Sequence, residues 1–508
     1  MPWQETDGPL ISLFGDALRQ AGYCESALRR LIGRSTSAGG DPRAVEVAGR
    51  RLENGGELST LIKLFCLGLS LPGAEVADAL GQATAELLTR ISVVAIEGAS
   101  LMPLIAVDAA DDLLIAHDLV KADGVLSADH VIGLGPAPRT LAALTVRRIA
   151  GRVLDLGTGS GIHALLALRH CASVIATDIN PRALAYTRFN AALNRLPMPD
   201  IRQGSLFQPV ADEAFDLIVA NPPYVLSPDC SLQFRDSGLK GDELSRSVVR
   251  DAAEHLREGG FASILVSWVH GPDEGWSEPL TRFVQGLGCD AFLLHFRSYD
   301  PVTYASLWIR DEPRFGQTLE RWLAYYRRLG IRSMSSGTVI LRRRSGVNWT
   351  RSAQVSAAPV RQASEHLLRI FEAGDRLHRA ADSELLDHRF RPHPGHRIHR
   401  TGVSAEGTYL VDGQYLETSA GIPIRVSLGQ PGSRLLLQLD GSRSLRTALA
   451  TVRENATGIS SDEVMRRGLA LVKELFSLGF LETDGPPLDR VRLADAESDH
   501  EVGVVLTK

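Results

Sequence analysis

Two groups of residues have the types and spacing to do chemistry. The first is Asp155-Leu156-Gly157-Thr158-Gly159-Ser160-Gly161, which follows the apolar run VLDL and precedes a helical pattern. Glycines at 157, 159 and 161 permit positive φ and let backbone approach a ligand without a Cβ in the way. A helix that starts there offers free N–H groups to a polar or anionic group. A second run, SVIATDI, passes through Asp178 and Ile179. A carboxylate about 20 residues beyond the first glycine is placed to accept the hydroxyls of a ribose. The pattern suits a nucleotide-like cofactor, but a nicotinamide fingerprint asks for Gly or Ala where Ile162 stands.

The second group is Asn221-Pro222-Pro223-Tyr224, directly after FDLIVA. Consecutive prolines fix an extended backbone and donate no hydrogen bonds. The Asn221 side-chain oxygen and the Pro222 carbonyl are left as acceptors that together can hold both hydrogens of an NH2 group. The Tyr224 ring can pack on a planar amide or base. Asn221, Pro222 and Tyr224 are therefore the candidate catalytic residues. A plain turn is the alternative reading of the same four residues.

Both groups need a scaffold that brings strand ends together. From 151 to about 310, short β-rich runs alternate with helical patterns: RVLDLG, SVIATDI, a short strand near Ile201, FDLIVAN, FASILVSW, AFLLHF and ASLWIR. This predicts an α/β fold with a parallel, Rossmann-like sheet covered on both faces. Ligands on such sheets bind at the carboxyl ends of the strands, where both groups fall. The domain is expected over 121–345. Before it, helices and the strand-like VVAIEG and LIAVDAADDLLIAHD predict a helical, winged-helix-like domain over 1–120. After it come a linker with a helix (346–405), a second winged-helix-like domain (406–485) and a mobile tail (486–508). Thr140 follows Arg139 near a helix start and is either a cap or part of a loop over the cofactor.

Composition narrows the partners. The chain has 508 residues, 44% apolar and 23% charged, which is the range of soluble globular proteins. A net charge of -5 supplies no basic surplus for nucleic acid. Five scattered cysteines suggest a reducing compartment and neither a disulfide frame nor a zinc site. His393, His396 and His399 lack the spacing of a metal motif, so no metal is expected. No apolar run spans a membrane, and a cytoplasmic location is expected. The basic run Arg342-Arg343-Arg344 reads as solvated surface, with substrate contact as the alternative.

Residues 131–270 resemble class I S-adenosyl-L-methionine-dependent N-methyltransferases that carry Asn-Pro-Pro-Tyr. Release-factor glutamine methyltransferases and ribosomal-RNA guanine methyltransferases are the nearest in pattern. The resemblance implies that Gly157, Thr158, Gly159 and Gly161 pass the methionine moiety of the cofactor, with Asp155 helping to orient it. It implies that Asp178, beside Ile179, binds the ribose. Ser205 and Leu206 stand where such enzymes often place an acidic residue on the adenine. Thr140 matches the upstream cofactor loop, and Asn221 borders cofactor and substrate alike.

The substrate is then a nitrogen of a protein or peptide, such as a glutamine side chain or an N-terminal amine. An RNA or DNA base amine is the competing class. The stretch from LLLQLDGSRSL to LFSLGFLE resembles the small PqqD-type winged helix that recognises leader peptides, which implies a ribosomally made precursor peptide among the partners. The alternative is a scaffold or dimerisation role.

Overall fold

The computed structural model describes residues 3–484, apart from 4, 34–41, 54, 121–125, 149, 272–273, 310–313, 357–360, 406–407 and 455–459. The expected tail, 486–508, lies outside the described residues. At the centre is an eight-stranded sheet. Its strands are β1 (Ala150–Leu156), β2 (Cys171–Asp178), β3 (Asp200–Gln203), β4 (Phe215–Ala220), β5 (Leu256–His270), β6 (Cys289–Tyr299), β7 (Ser333–Arg343) and β8 (Thr350–Gln354). They lie in the order β8-β6-β7-β5-β4-β1-β2-β3. Strands β1 to β5 are parallel, in the doubly wound order 3-2-1-4-5. Apolar stretches such as Leu217–Ala220 and Ala262–Val266 are buried almost throughout, as strands covered on both faces must be.

The sheet is mixed, where an all-parallel one was expected. Strand β7 runs antiparallel to both β5 and β6. A helical pair, α6 (Pro301–Trp308) and α7 (Phe315–Arg328), connects β6 to β7 at the ligand end of the sheet. The run ASLWIR, expected as a strand, lies mostly in α6. Asp300 decides this: its carboxylate accepts the N–H groups of Val302 and Thr303 at 2.9 and 3.0 Å, and Pro301 follows as the first helical residue. Gly337 of β7 sits opposite the β6 bulge, where a Cβ would come within 1.9 Å of the Leu294 carbonyl oxygen.

Helices α1 (Pro136–Leu144), α2 (Ile162–Ala167), α3 (Pro181–Leu193), α4 (Glu243–Glu254) and α5 (Ser277–Val284) flank the strands. The stretch 346–405, expected as a linker, is built into this body. Its β8 extends the sheet beside β6, and helix α8 (Ser364–Arg379) buries Leu367, Ile370 and Phe371. The Phe371 ring meets Phe261 of β5 edge-on at 5.1 Å, and Arg342 bridges Asp290 and Asp375. The helix expected within that stretch is α8, and its apolar stripe packs it on the body.

Among the described residues up to 104, six α-helices accompany a three-stranded antiparallel sheet, in which Ser100–Pro103 lies between Leu71–Pro72 and Val94–Glu97. A separate hairpin, Ile105–Ala110 with Leu113–Asp118, crosses to the central body. Its outer strand ends on α3. Asn194 exchanges two hydrogen bonds with the backbone of Leu114, and Asn190 does the same with Ala116, all between 2.7 and 2.9 Å. Two carboxamides one helical turn apart thus act as a neighbouring strand. At the other end, strands His396–Ala405, Thr408–Thr418 and Arg425–Ser427 precede three helices and a short strand, Leu481–Thr483, paired with Phe390–Pro392. This module shares one apolar core with the sheet, from Val153 and Phe261 through Leu367 to Leu475 and Phe480.

Candidate active site

A cavity of about 530 Å3 opens at the carboxyl ends of β1 to β4. That is a volume suited to a small organic ligand. Gly157, Thr158, Gly159 and Ser160 after β1, Asp178 and Ile179 at the end of β2, Gly204 to Leu206 after β3 and Asn221 to Pro223 after β4 all line it. The two sequence groups therefore meet in one space. A larger cleft of about 800 Å3 between α8 and the carboxy-terminal module contains none of them.

The glycine turn is shaped by its backbone. Gly157, Gly159 and Gly161 have φ of 71°, 56° and 86°. Cβ atoms at 157 and 159 would meet no protein atom within 4 Å, so that side of the turn is open to a ligand. A Cβ at 161 would lie 3.0 Å from Thr187 of α3, so this glycine serves helix packing instead.

Asp155 sits behind the turn and does not line the cavity. One of its oxygens accepts the Thr158 hydroxyl at 2.7 Å and the Ala164 N–H at 2.9 Å. The other has no partner among the described residues. Burial pushes its pKa up to about 7. Asp155, expected to help orient the cofactor, supports the turn from below, because its bonded oxygen faces the helix start.

Asp178 does face the cavity. Its two oxygens accept the N–H groups of Gly159 and Asn180, both at 2.9 Å, and burial raises its pKa above the usual carboxylate value. A carboxylate has about four lone-pair sites, so two remain for a ligand. Ile179 is 55% exposed at the rim. Ser205 and Leu206 line the wall, with Leu206 at φ 49°. Thr140 lies within α1, away from the cavity; Pro138 of the same helix reaches it.

The Asn221 side chain makes no hydrogen bond to another described residue, and it borders the cavity. The Pro222 carbonyl accepts the Tyr224 N–H at 2.8 Å, which leaves one of its two lone pairs. Tyr224 is half-buried against the apolar core and does not line the cavity, and burial pushes its phenol up to about 12. The residues just beyond it are fixed. The Leu226 N–H donates to the Tyr304 hydroxyl of α6 at 3.1 Å, and the Tyr326 hydroxyl of α7 donates to the Leu226 carbonyl at 2.8 Å.

Two stretches of the wall hold none of the candidate residues. His130 to Gly133 come from the irregular segment before α1, and Gln233 and Phe234 come from the loop after Asn-Pro-Pro-Tyr. The His130 and Phe234 rings lie 6.2 Å apart. Phe234 thus brings an aromatic residue to the cavity wall, and Tyr224 does not line it. Asp236 shapes that loop: it accepts the N–H groups of Ser231 and Leu232, each at 3.1 Å, and pairs with Arg235. No periodicity marks such segments; the only signal was the density of Gly, Asp and Ser.

The Arg342-Arg344 run does not form a free basic surface. Arg342 and Arg344 pair with Asp290, and Arg343 donates to the Leu287 carbonyl at 2.9 Å. The five cysteines are free thiols. Among the described residues, no helix is long and apolar enough to cross a membrane, and no three His, Cys, Asp or Glu side chains are grouped to hold a metal.

A family model described as "Methyltransferase small domain" matches residues 117–271, the stretch that supplies most of the cavity wall. Over those residues the chain is similar to methyltransferases of that description. A domain of unknown function (DUF7059) matches residues 20–104. The core is 40% identical over 122 residues to a ribosomal protein uL3 glutamine methyltransferase of Bradyrhizobium diazoefficiens, covering 22% of this chain and 38% of that protein. It is 35% identical over 164 residues to a release factor glutamine methyltransferase of Xylella fastidiosa, covering 30% and 58%. A release factor glutamine methyltransferase of Cereibacter sphaeroides is 40% identical over 143 residues, covering 25% and 51%. The chain thus spans roughly two-fifths to three-fifths of the length of these relatives.

Proposed function

We propose that this protein uses S-adenosyl-L-methionine to methylate a side-chain amide nitrogen of a protein, with glutamine as the first candidate. The observation that carries the reading is the Asn221 carboxamide. It stands without an intramolecular partner among the described residues, in the same cavity as the open glycine turn and Asp178. The cofactor, when bound, supplies a methyl group on a positively charged sulfur, an electrophile needing no further activation.

The chain's residues then have separate tasks. Asp178 offers its free lone pairs to the ribose hydroxyls, and Gly157 and Gly159 leave room for the methionine moiety. Ser205 and Leu206 border the adenine. Asn221 accepts one hydrogen of the substrate amide, and the remaining lone pair of the Pro222 carbonyl accepts the other. These bonds orient the nitrogen lone pair and offset the positive charge that grows on nitrogen. Transfer would form the N–CH3 bond as the S–CH3 bond breaks, with S-adenosylhomocysteine as the leaving group and one N–H proton passing to solvent. Tyr224, with its phenol near 12, stays protonated at neutral pH and is not the base. Phe234 presents the face on which a planar amide can rest.

The names of the similar proteins support a protein substrate, and the acidic balance favours it over nucleic acid. The carboxy-terminal module, read as a PqqD-type winged helix, extends the same reading to peptides. The deciding experiment is transfer of labelled methyl from S-adenosyl-L-methionine in cell lysate after nuclease or protease treatment. Loss of label only with protease supports the proposal. Loss only with nuclease makes the chain a nucleic-acid base methyltransferase.

A further inference from the structure

The hairpin that joins the first 104 residues to the core also holds up one wall of the cavity. His117 and Asp108 lie on its two strands, with side chains 5% and 2% exposed. The His117 Nε2 is 3.2 Å from an Asp108 carboxylate oxygen. The same oxygen accepts the Leu134 N–H at 2.7 Å. The neighbouring Asp118 accepts the Val131 N–H at 2.9 Å, and its own N–H donates to the Val131 carbonyl at 3.1 Å. Two carboxylates therefore grip the segment 131–134 at both ends. Between them Gly133 comes so close that a Cβ would lie 2.4 Å from His117 Nε2 and 2.5 Å from the Asp108 oxygen. His130 to Gly133 line the cavity.

Geometry fixes where the protons are. His117 Nδ1 is 2.9 Å from the Asp118 carbonyl oxygen, which can only accept, so Nδ1 carries hydrogen. A neutral ring would then leave the Nε2 lone pair 3.2 Å from a buried carboxylate oxygen. A proton on Nε2 turns that repulsion into attraction, and the low dielectric of the interior makes the difference large.

We propose that His117 and Asp108 are positioning residues for the cofactor: as a protonated pair they hold the His130–Gly133 wall in its binding shape. The inference rests on the reading that this cavity takes S-adenosyl-L-methionine. It makes the amino-terminal part of the chain a component of the cofactor site. Other charged and titratable groups around the pair are accounted for. Asp118 is on the hairpin itself, and Arg182 and Tyr186 of α3 both bind Asp118. His130 and Asp129 come from the wall segment, and the Tyr23 hydroxyl donates to the Val107 carbonyl at 2.7 Å. Burial opposes the charge on His117, but Asp108 and Asp118 together outweigh it and place the imidazole above its usual value.

The test is calorimetric binding of S-adenosylhomocysteine by the full chain from about pH 6 to about pH 9. The wild type should bind tightly at the acid end and lose affinity as pH rises through the His117 pKa. His117→Gln and Asp108→Asn should each weaken binding at the acid end about tenfold and flatten the pH profile. Gly133→Ala, which pushes on the pair without altering a titrating group, should weaken binding and leave the profile's slope in place. Far-ultraviolet circular dichroism and melting identify any variant that fails to fold, in which case the other two decide. Wild-type affinity and profile in the folded variants would overturn the inference alone. No binding by the wild type at any pH would overturn the cofactor reading itself.

Discussion

Asn221 offers the sharpest measurement at the residue scale. Asn221→Ala removes an acceptor that matters as charge grows on the substrate nitrogen, so kcat should fall about 100- to 1,000-fold. On the proposed reading S-adenosylhomocysteine should lose far less affinity than kcat loses rate, because the glycine turn and Asp178 would carry most of the cofactor's contacts. Steady-state kinetics paired with calorimetry read both numbers. Asp155 bears on stability instead. Its pKa is about 7 in the folded chain and about 3.9 unfolded, so the folded state holds more protons between those values. Its contribution is fully present below about pH 4 and is lost as pH rises through about 7. Asp155→Asn should flatten the resulting fall in melting temperature over that window. Both groups of residues were legible in the sequence because each combines rare types, glycines or prolines, at fixed spacing after an apolar run. The direction of the Asp155 side chain was not, since spacing says nothing about which face of a turn a carboxylate takes.

Elements carry a different lesson. The strands β1 to β5 and their helices follow from alternating patterns. β7 was read as a strand, but its antiparallel direction depends on a helical pair inserted before it, and direction leaves no mark in hydrophobic periodicity. No candidate residue was placed in the wall segment 130–134 or at Phe234: the order of the first comes from Asp108 and Asp118, on the preceding hairpin, and that of the second from Asp236. At the same scale, Asn190 connects three elements, since its NH2 also donates to the Ser160 carbonyl at 2.8 Å. Asn190→Ala would leave the N–H and C=O of Ala116 buried and unpaired, at a cost of about 2 to 4 kcal/mol. Chemical denaturation should show this loss, and cofactor affinity should fall with it because the glycine turn loses a tie.

For the whole molecule, the expected domain boundary at 345 becomes a test. A chain ending there loses β8 and α8, and with them the cover over Phe261 and Ile340. Losing buried aromatic side chains costs about 3 to 5 kcal/mol each, and Phe371 and Trp349 would both go. That rivals the total stability of a typical domain. Such a chain should aggregate or lose its near-ultraviolet circular dichroism, whereas one ending at 484 should not.

The carboxamide ladder on α3 also bears on how the chain is made. The strand Leu113–Asp118 leaves the ribosome well before the helix that satisfies its outer edge. Until Asn190 and Asn194 emerge, the backbone groups of Leu114 and Ala116 are a bare strand edge, open to any other extended chain. The first part of the protein is therefore synthesised with a debt that only residues some 75 positions later discharge. Nascent chains stalled before residue 190 should be the ones that chaperones hold and that self-associate when released.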